Sequence, residues 1–217
     1  MPKTVIFANG KPTTNLSEIS DLIEPDDTII CADGGAVHAL AAGLTPDLIV
    51  GDLDSLPQDV QVMMQARGVE IESHSAKKDQ TDLELALSTA IERGADEILL
   101  LTALGGRLDQ HMTNVLLLTR REWAGVRLSL AEGNQRAWLL RGPDALSIQG
   151  RPGDTFSLLP LSPEVKGLDI ENVEWPLQNK TISLGSTLTI SNVFRADTVT
   201  FRIREGIALA IQISKSQ

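Results

Sequence analysis

Up to about residue 131, short apolar runs alternate with segments whose apolar residues recur every three or four positions. The runs Thr4 to Ala8, Thr28 to Ala32, Asp47 to Val50, Val69 to Glu72, Glu97 to Thr102 and Val126 to Leu130 read as buried strands. Between them, Gly35 to Ala42, Gln58 to Arg67, Asp82 to Arg93 and Leu108 to Trp123 read as helices. This alternation predicts an α/β fold with a doubly wound, mostly parallel sheet. After Gly133 the pattern changes. Ala137 to Leu140, Thr155 to Leu159, Thr187 to Ile190, Thr198 to Ile203 and Ile207 to Ile213 are short alternating runs broken by Gly, Pro and Asn. They predict an antiparallel β-sandwich or barrel, with the boundary near Glu132-Gly133-Asn134-Gln135 and hence domains at 1–133 and 134–217.

The chain has 217 residues, 42% of them hydrophobic, which is enough for cores of this size. The single cysteine, Cys31, sits in an apolar run and reads as a small buried hydrophobe in a reducing compartment. The N-terminal apolar run is too short for a signal peptide, and no stretch approaches the length of a membrane span. The expectation is a soluble, cytoplasmic protein without a membrane partner. The formal net charge is −10: 21 acids against 10 Lys plus Arg through residue 133, and 8 against 9 after it. An acidic first domain is the opposite of a nucleic-acid-binding footprint and suits a site that recruits a metal before an anion.

Ligands of open α/β sheets bind beyond the carboxyl ends of the strands. After the third strand comes Gly51-Asp52-Leu53-Asp54-Ser55. If that strand runs on to Asp54, Asp52 and Asp54 share a face; carboxylates about 6 Å apart repel by about 3 kcal/mol at an effective dielectric near 20. A hard divalent cation such as Mg²⁺ relieves that repulsion, and a solvated turn is the other reading. After the second strand, Asp33-Gly34-Gly35 opens a helix whose first N–H groups suit either a phosphate or a plain N-cap. Thr81 and Glu84 form a capping box next to Asp79 and Asp82. Gly105-Gly106-Arg107 resembles a phosphate-binding turn, with Asp109 in the helical turn that follows. His111 reads as a polar neighbour of that turn, since no His or Cys spacing supports zinc.

Together, Asp33, Asp52, Asp54, Asp82, Arg107 and Asp109 at four strand ends suit phosphoryl transfer. The Walker A and protein-kinase motifs are absent.

The ordered series "ADGGA", "PDLIVGDLDS", "KDQTDLELAL" and "LGGRLDQHMTN", followed by a β-rich region with "SNVF", resembles the thiamine pyrophosphokinase family over essentially the whole chain. The resemblance implies an α/β catalytic domain that binds Mg-ATP and a β-sandwich that binds thiamine and dimerises. It further implies a homodimer whose sites are shared between subunits. The implied reaction passes the diphosphoryl group of ATP to the thiamine hydroxyl, leaving AMP. On the same resemblance, Asp52, Asp54 and Asp82 hold Mg²⁺, while Asp33, Gly34, Thr81, Arg107 and Asp109 serve the nucleotide and the diphosphate. Asp109 is also a candidate proton acceptor. Thr189, Ser191, Asn192 and Phe194 are implied thiamine-binding residues, Phe194 also reading as sandwich core; Trp175 reads as core or dimer contact. The alternatives are a diphosphokinase for another small alcohol such as a hydroxymethylpterin, an Asp-x-Asp glycosyltransferase, and a non-catalytic thiamine or nucleotide sensor.

Overall fold

The computed structural model describes residues 2–12, 16–75, 77 and 79–215; Lys78 of the "KDQTDLELAL" motif lies outside them. The chain divides into two compact units, Met1–Gly133 and Asn134–Gln217.

The first unit is built on six strands: β1 Thr4–Phe7, β2 Thr28–Ala32, β3 Leu48–Gly51, β4 Glu70–Ser73, β5 Glu97–Leu101 and β6 Arg127–Glu132. Their order is β6-β5-β1-β2-β3-β4, and every pairing is parallel. Among the described residues the α-helices are α1 Gly35–Ala41, α2 Gln58–Ala66, α3 Asp82–Glu92 and α4 Leu108–Leu117. Alternate strand residues Val5, Phe7, Cys31, Ile49 and Leu99 pack with Ala36 and Ala39 of α1 and Met64 of α2. The intervening Ile6, Ile30, Ile98 and Leu100 are also buried, and α3 packs on β2 and β3 through an apolar side that includes Leu83, Ala86, Leu87 and Ala90. Both faces of β1, β2, β3 and β5 are thus covered, which is why these strands read as unbroken apolar runs, whereas the edge strand β4 is exposed at Glu70 and Ser73. Burial pushes the Cys31 thiol pKa up, leaving an inert core residue. Among the described residues, no helix is long and apolar enough to cross a membrane.

The helix expected from Leu108 to Trp123 is shorter. Thr119 donates from both its N–H and its hydroxyl to Leu116 O, at 2.9 and 2.7 Å, which closes α4; Arg121–Trp123 is a separate 3-10 turn. A second 3-10 turn, Leu16–Leu22, has no counterpart in the apolar pattern.

The second unit holds β7 Gln135–Arg141, β8 Asp144–Gln149, β9 Thr155–Pro160, β10 Glu164–Glu171, β11 Leu177–Ser183, β12 Asn192–Val193, β13 Thr198–Ile203 and β14 Ile207–Ile213. Strands β12-β9-β14-β7 form one antiparallel layer and β11-β10-β13-β8 the other. Their inward residues, among them Phe156, Leu158, Leu168, Phe194, Phe201 and Ala210, make a single core. Phe156 and Phe201 stack across it with centroids 4.2 Å apart, an arrangement that adds about 1 kcal/mol beyond its buried area. The strand expected at Thr187 to Ile190 is a turn, closed by Ile190 N–H to Thr187 O at 3.1 Å. Conversely, β11 is mostly exposed and carries no apolar alternation that marks it as a strand.

Candidate active site

Strand β1 lies between β5 and β2, so the sheet order reverses beside it and a crevice opens beyond the strand ends there. A cleft of about 440 Å³ occupies that place. Residues following β1, β2, β3 and β5 line it, together with the N-terminal turn of α3.

Asp33, directly after β2, adopts φ 47° and donates its N–H to Val50 O at 2.9 Å, which tucks it against β3. Its side chain is buried. Oδ2 accepts the Ser55 N–H at 3.2 Å, while Oδ1 has no hydrogen-bond partner among the described residues. Asp52 follows β3 and Asp82 opens α3. Carboxylate oxygens of Asp33, Asp52 and Asp82 all lie within 4.8 Å of one another. Gly51 permits this convergence: a Cβ there would stand 2.9 Å from Asp33 Cβ and 3.1 Å from Asp82 Oδ1. Burial first, and then the neighbouring charges of Asp82 and Asp52, push the Asp33 carboxyl above the ordinary range, against a downward pull from Ser55. Three converging hard oxygen donors and one buried, unpartnered oxygen fit a divalent cation.

Asp54 is not in this group. Strand β3 stops at Gly51, Leu53 turns to φ 64°, and the Asp54 N–H folds back to Asp52 Oδ1 at 3.2 Å. The two-residue alternation therefore ends before it can place Asp54 beside Asp52. Asp54 is exposed and accepts the Ser55 hydroxyl at 3.0 Å, so the segment is a side-chain-closed turn that delivers only its first carboxylate. Asp33, in contrast, joins the carboxylates rather than only the nucleotide path.

Thr81 lines the cleft and caps α3, its Oγ1 accepting the Glu84 N–H at 3.2 Å. The Glu84 carboxylate bonds Arg120 and Gln80. Arg107 also lines the cleft. Its Nε and Nη2 grip Asp109 at 3.0 and 2.5 Å, and this guanidinium, with the Gln110 N–H, lowers the Asp109 pKa to about 2. Asp109 and Gly34 stand outside the cleft lining.

In the second unit, Thr189 is buried, its hydroxyl donating to Leu158 O at 2.6 Å. Asn192 is buried too. Its Oδ1 accepts from Trp175 N–H at 3.1 Å and its Nδ2 donates to Trp175 O at 2.9 Å. Phe194 is fully enclosed in the sandwich core, so its ring is not offered to a ligand. Ser191 is exposed at φ 59° and donates its N–H to Ser157 Oγ at 3.0 Å. Trp175 is not core: it is 60% exposed and is the one large exposed aromatic among the described residues.

The family described as "Thiamin pyrophosphokinase, catalytic domain" matches residues 19–129, and "Thiamin pyrophosphokinase, vitamin B1 binding domain" matches residues 146–208. The chain belongs to the thiamine pyrophosphokinase family. It is therefore an enzyme. The thiamine pyrophosphokinase of Bacillus subtilis is 29% identical over 211 residues, covering 97% of this chain and 98% of that one. Its crystal structure superposes with a TM-score of 0.86 over 99% of this chain and 100% of that one. The Geobacillus thermodenitrificans enzyme is 31% identical, with a TM-score of 0.83 over 100% of this chain and 99% of that one.

One part of the cleft lies outside the motifs of the sequence: the loop after β1. The Gly10 N–H donates to Thr102 O at 2.8 Å, Thr102 Oγ1 donates to Ala8 O at 2.6 Å, and His38 Nε2 donates to Gly10 O at 2.9 Å. Asn114 Nδ2 holds Ala103 O at 2.7 Å. This clasp is tight enough that a Cβ on Gly10 would fall 2.3 Å from two carbonyl oxygens, and one on Gly105 would fall 1.8 Å from Lys11 O. The rule that finds polar residues after strands applies equally to Asn9-Gly10-Lys11, which carry no acid to draw attention.

Proposed function

We propose that the enzyme transfers the diphosphoryl group of ATP to the hydroxyl of thiamine, giving thiamine diphosphate and AMP, with Mg²⁺ as its metal. The reading rests on the convergence of Asp33, Asp52 and Asp82, of which Asp33 and Asp82 line the cleft beside the sheet's reversal point. Those three carboxylates would hold the metal, which when bound offsets phosphate charge. In the reaction, the thiamine hydroxyl oxygen bonds to the β-phosphorus of ATP and gives up its proton to solvent, the bond from that phosphorus to the α,β-bridging oxygen breaks, and AMP leaves.

The chain's own groups supply positioning. Thr81 and the Gly105-Gly106 turn shape the cleft wall, and Arg107 faces it with its guanidinium held in plane by Asp109. An Asp109 carboxyl near pKa 2 is a weak base, so its part is to orient Arg107 rather than to take the hydroxyl proton. In the second unit, Asn192 clamps the backbone of Trp175, and the exposed indole is the surface we assign to the thiamine rings in place of Phe194. Thr189 and Ser191 fix the turn beside β9 that leads into Asn192. The vitamin B1-binding match favours thiamine over a pterin alcohol. The Asp-x-Asp glycosyltransferase reading is disfavoured because the converging carboxylates are Asp33, Asp52 and Asp82, without Asp54. In this proposal the enzyme works in the cytoplasm as a homodimer, each site completed by both subunits.

The test is chromatography of products from thiamine and ATP, with Mg²⁺ and in a metal-free control. Thiamine diphosphate and AMP forming in equal amounts, only with metal, is the expected result; ADP with thiamine monophosphate, or no thiamine product, overturns the reading.

A further inference from the structure

Among the described residues, two cationic ones line the cleft, Lys11 and Arg107. Arg107 is already engaged, since both of its bonded nitrogens serve Asp109. Lys11 is different. Its backbone N–H donates to Gly105 O at 3.3 Å, and its ammonium has no hydrogen-bond or ion-pair partner among the described residues. Its stem runs along the Gly105-Gly106 turn, because a Cβ on Gly106 would lie 3.6 Å from Lys11 Cγ and Cδ. The backbone that carries this side chain is held by the Gly10 bond to Thr102 and by the Lys11 bond to Gly105.

The charge balance gives that ammonium a task. Asp33, Asp52 and Asp82 bring three carboxylates to the site, and a nucleotide triphosphate adds further negative charge. A divalent cation offsets only part of this, and Arg107 is shared with Asp109. We propose that Lys11 binds the phosphate chain of the nucleotide beyond its α-phosphate and so makes the cleft select a triphosphate over a monophosphate. Charge is densest at the terminal phosphates, and a compact, mobile ammonium on a fixed backbone suits a non-bridging oxygen there. A hold on that end also leaves AMP free to depart. The inference rests on the ATP reading above and adds to it a residue outside the acidic motifs.

The experiment compares full-length wild type, Lys11→Met and Lys11→Arg by calorimetric titration with ATP and with AMP, both in Mg²⁺. Methionine keeps the stem and removes the charge. The expected result is an ATP Kd about 10- to 100-fold weaker in Lys11→Met, an AMP Kd changed by no more than about twofold, and recovery of most of the ATP affinity in Lys11→Arg. Unchanged ATP binding in Lys11→Met overturns the assignment. So does an equal loss for ATP and AMP, which marks a purely structural lysine. Product chromatography on the same wild-type preparation separates the two readings: ATP selectivity that depends on Lys11 without thiamine diphosphate formation refutes the reaction and leaves the Lys11 assignment standing.

Discussion

Asp33, Asp52 and Asp82 come from three separate segments of the first unit and meet at one point, whereas Thr189 and Asn192, close together in the second unit, are spent on holding neighbouring backbone. The difference lies in how each architecture disposes of polar side chains. In a parallel sheet every strand ends on the same side, so polar residues that follow strands are gathered by topology alone. In a sandwich, a polar residue near a strand end is as readily a satisfied structural group as a ligand contact, because its neighbours' carbonyl and amide groups need partners too. Proximity in sequence carries little weight there.

The comparison is tested most severely by Asp82→Asn, which keeps size and removes one charge from the carboxylate group. Turnover should fall on the order of 1000-fold, about 4 kcal/mol of transition-state stabilisation, with an unchanged circular dichroism spectrum. Activity within about tenfold of wild type would mean that the convergence has no catalytic meaning. In the second unit, Phe194→Leu should lower unfolding free energy by about 1 to 3 kcal/mol in urea titrations and leave the thiamine KM of the folded enzyme unaltered. A raised KM at full stability would restore Phe194 as a ligand contact. Trp175→Ala should do the reverse, raising the thiamine KM about tenfold with little change in stability. The smallest effect concerns Asp109. Removing its cationic partner in Arg107→Gln should raise its pKa from about 2 toward the ordinary 3.8, read by carboxyl-carbon NMR. The sign follows because the guanidinium favours the ionised form, so its loss makes protonation easier. An unmoved titration would show that Arg107 does not hold Asp109 in solution.

Much of this arrangement was legible in the amino-acid order. The strands β1, β2, β3 and β5 announced themselves as apolar runs because both of their faces are buried, while β4 and β6 alternate polar and apolar residues; the strand-end rule reached Asp33, Asp52 and Asp82. Asp54 falls outside the carboxylate group for a local reason: of the two readings open for Gly51-Asp52-Leu53-Asp54-Ser55, a continued strand or a turn, the chain takes the turn, with a leucine, a rare occupant of φ 64°, redirecting it after Gly51. Lys11 was overlooked because its importance lies in what it does not pair with, a property no motif encodes. In the second unit β11 is polar nearly throughout, and β10 contains Gly167 at φ 64° and slips register against β11, so neither shows a clean period of two. Phe194 had two open readings because a single aromatic near a short strand does not reveal which face it takes.

Gly51 contributes no functional group, yet the site hangs on what it lacks. Every other standard amino acid carries a Cβ, and any Cβ at this position crowds Asp33 and Asp82 at once. No conservative replacement therefore exists, and every codon change that alters the residue pushes the same two carboxylates. The position has no neutral neighbours in sequence space, a constraint as strict as that on a charged ligand and imposed by an absent atom.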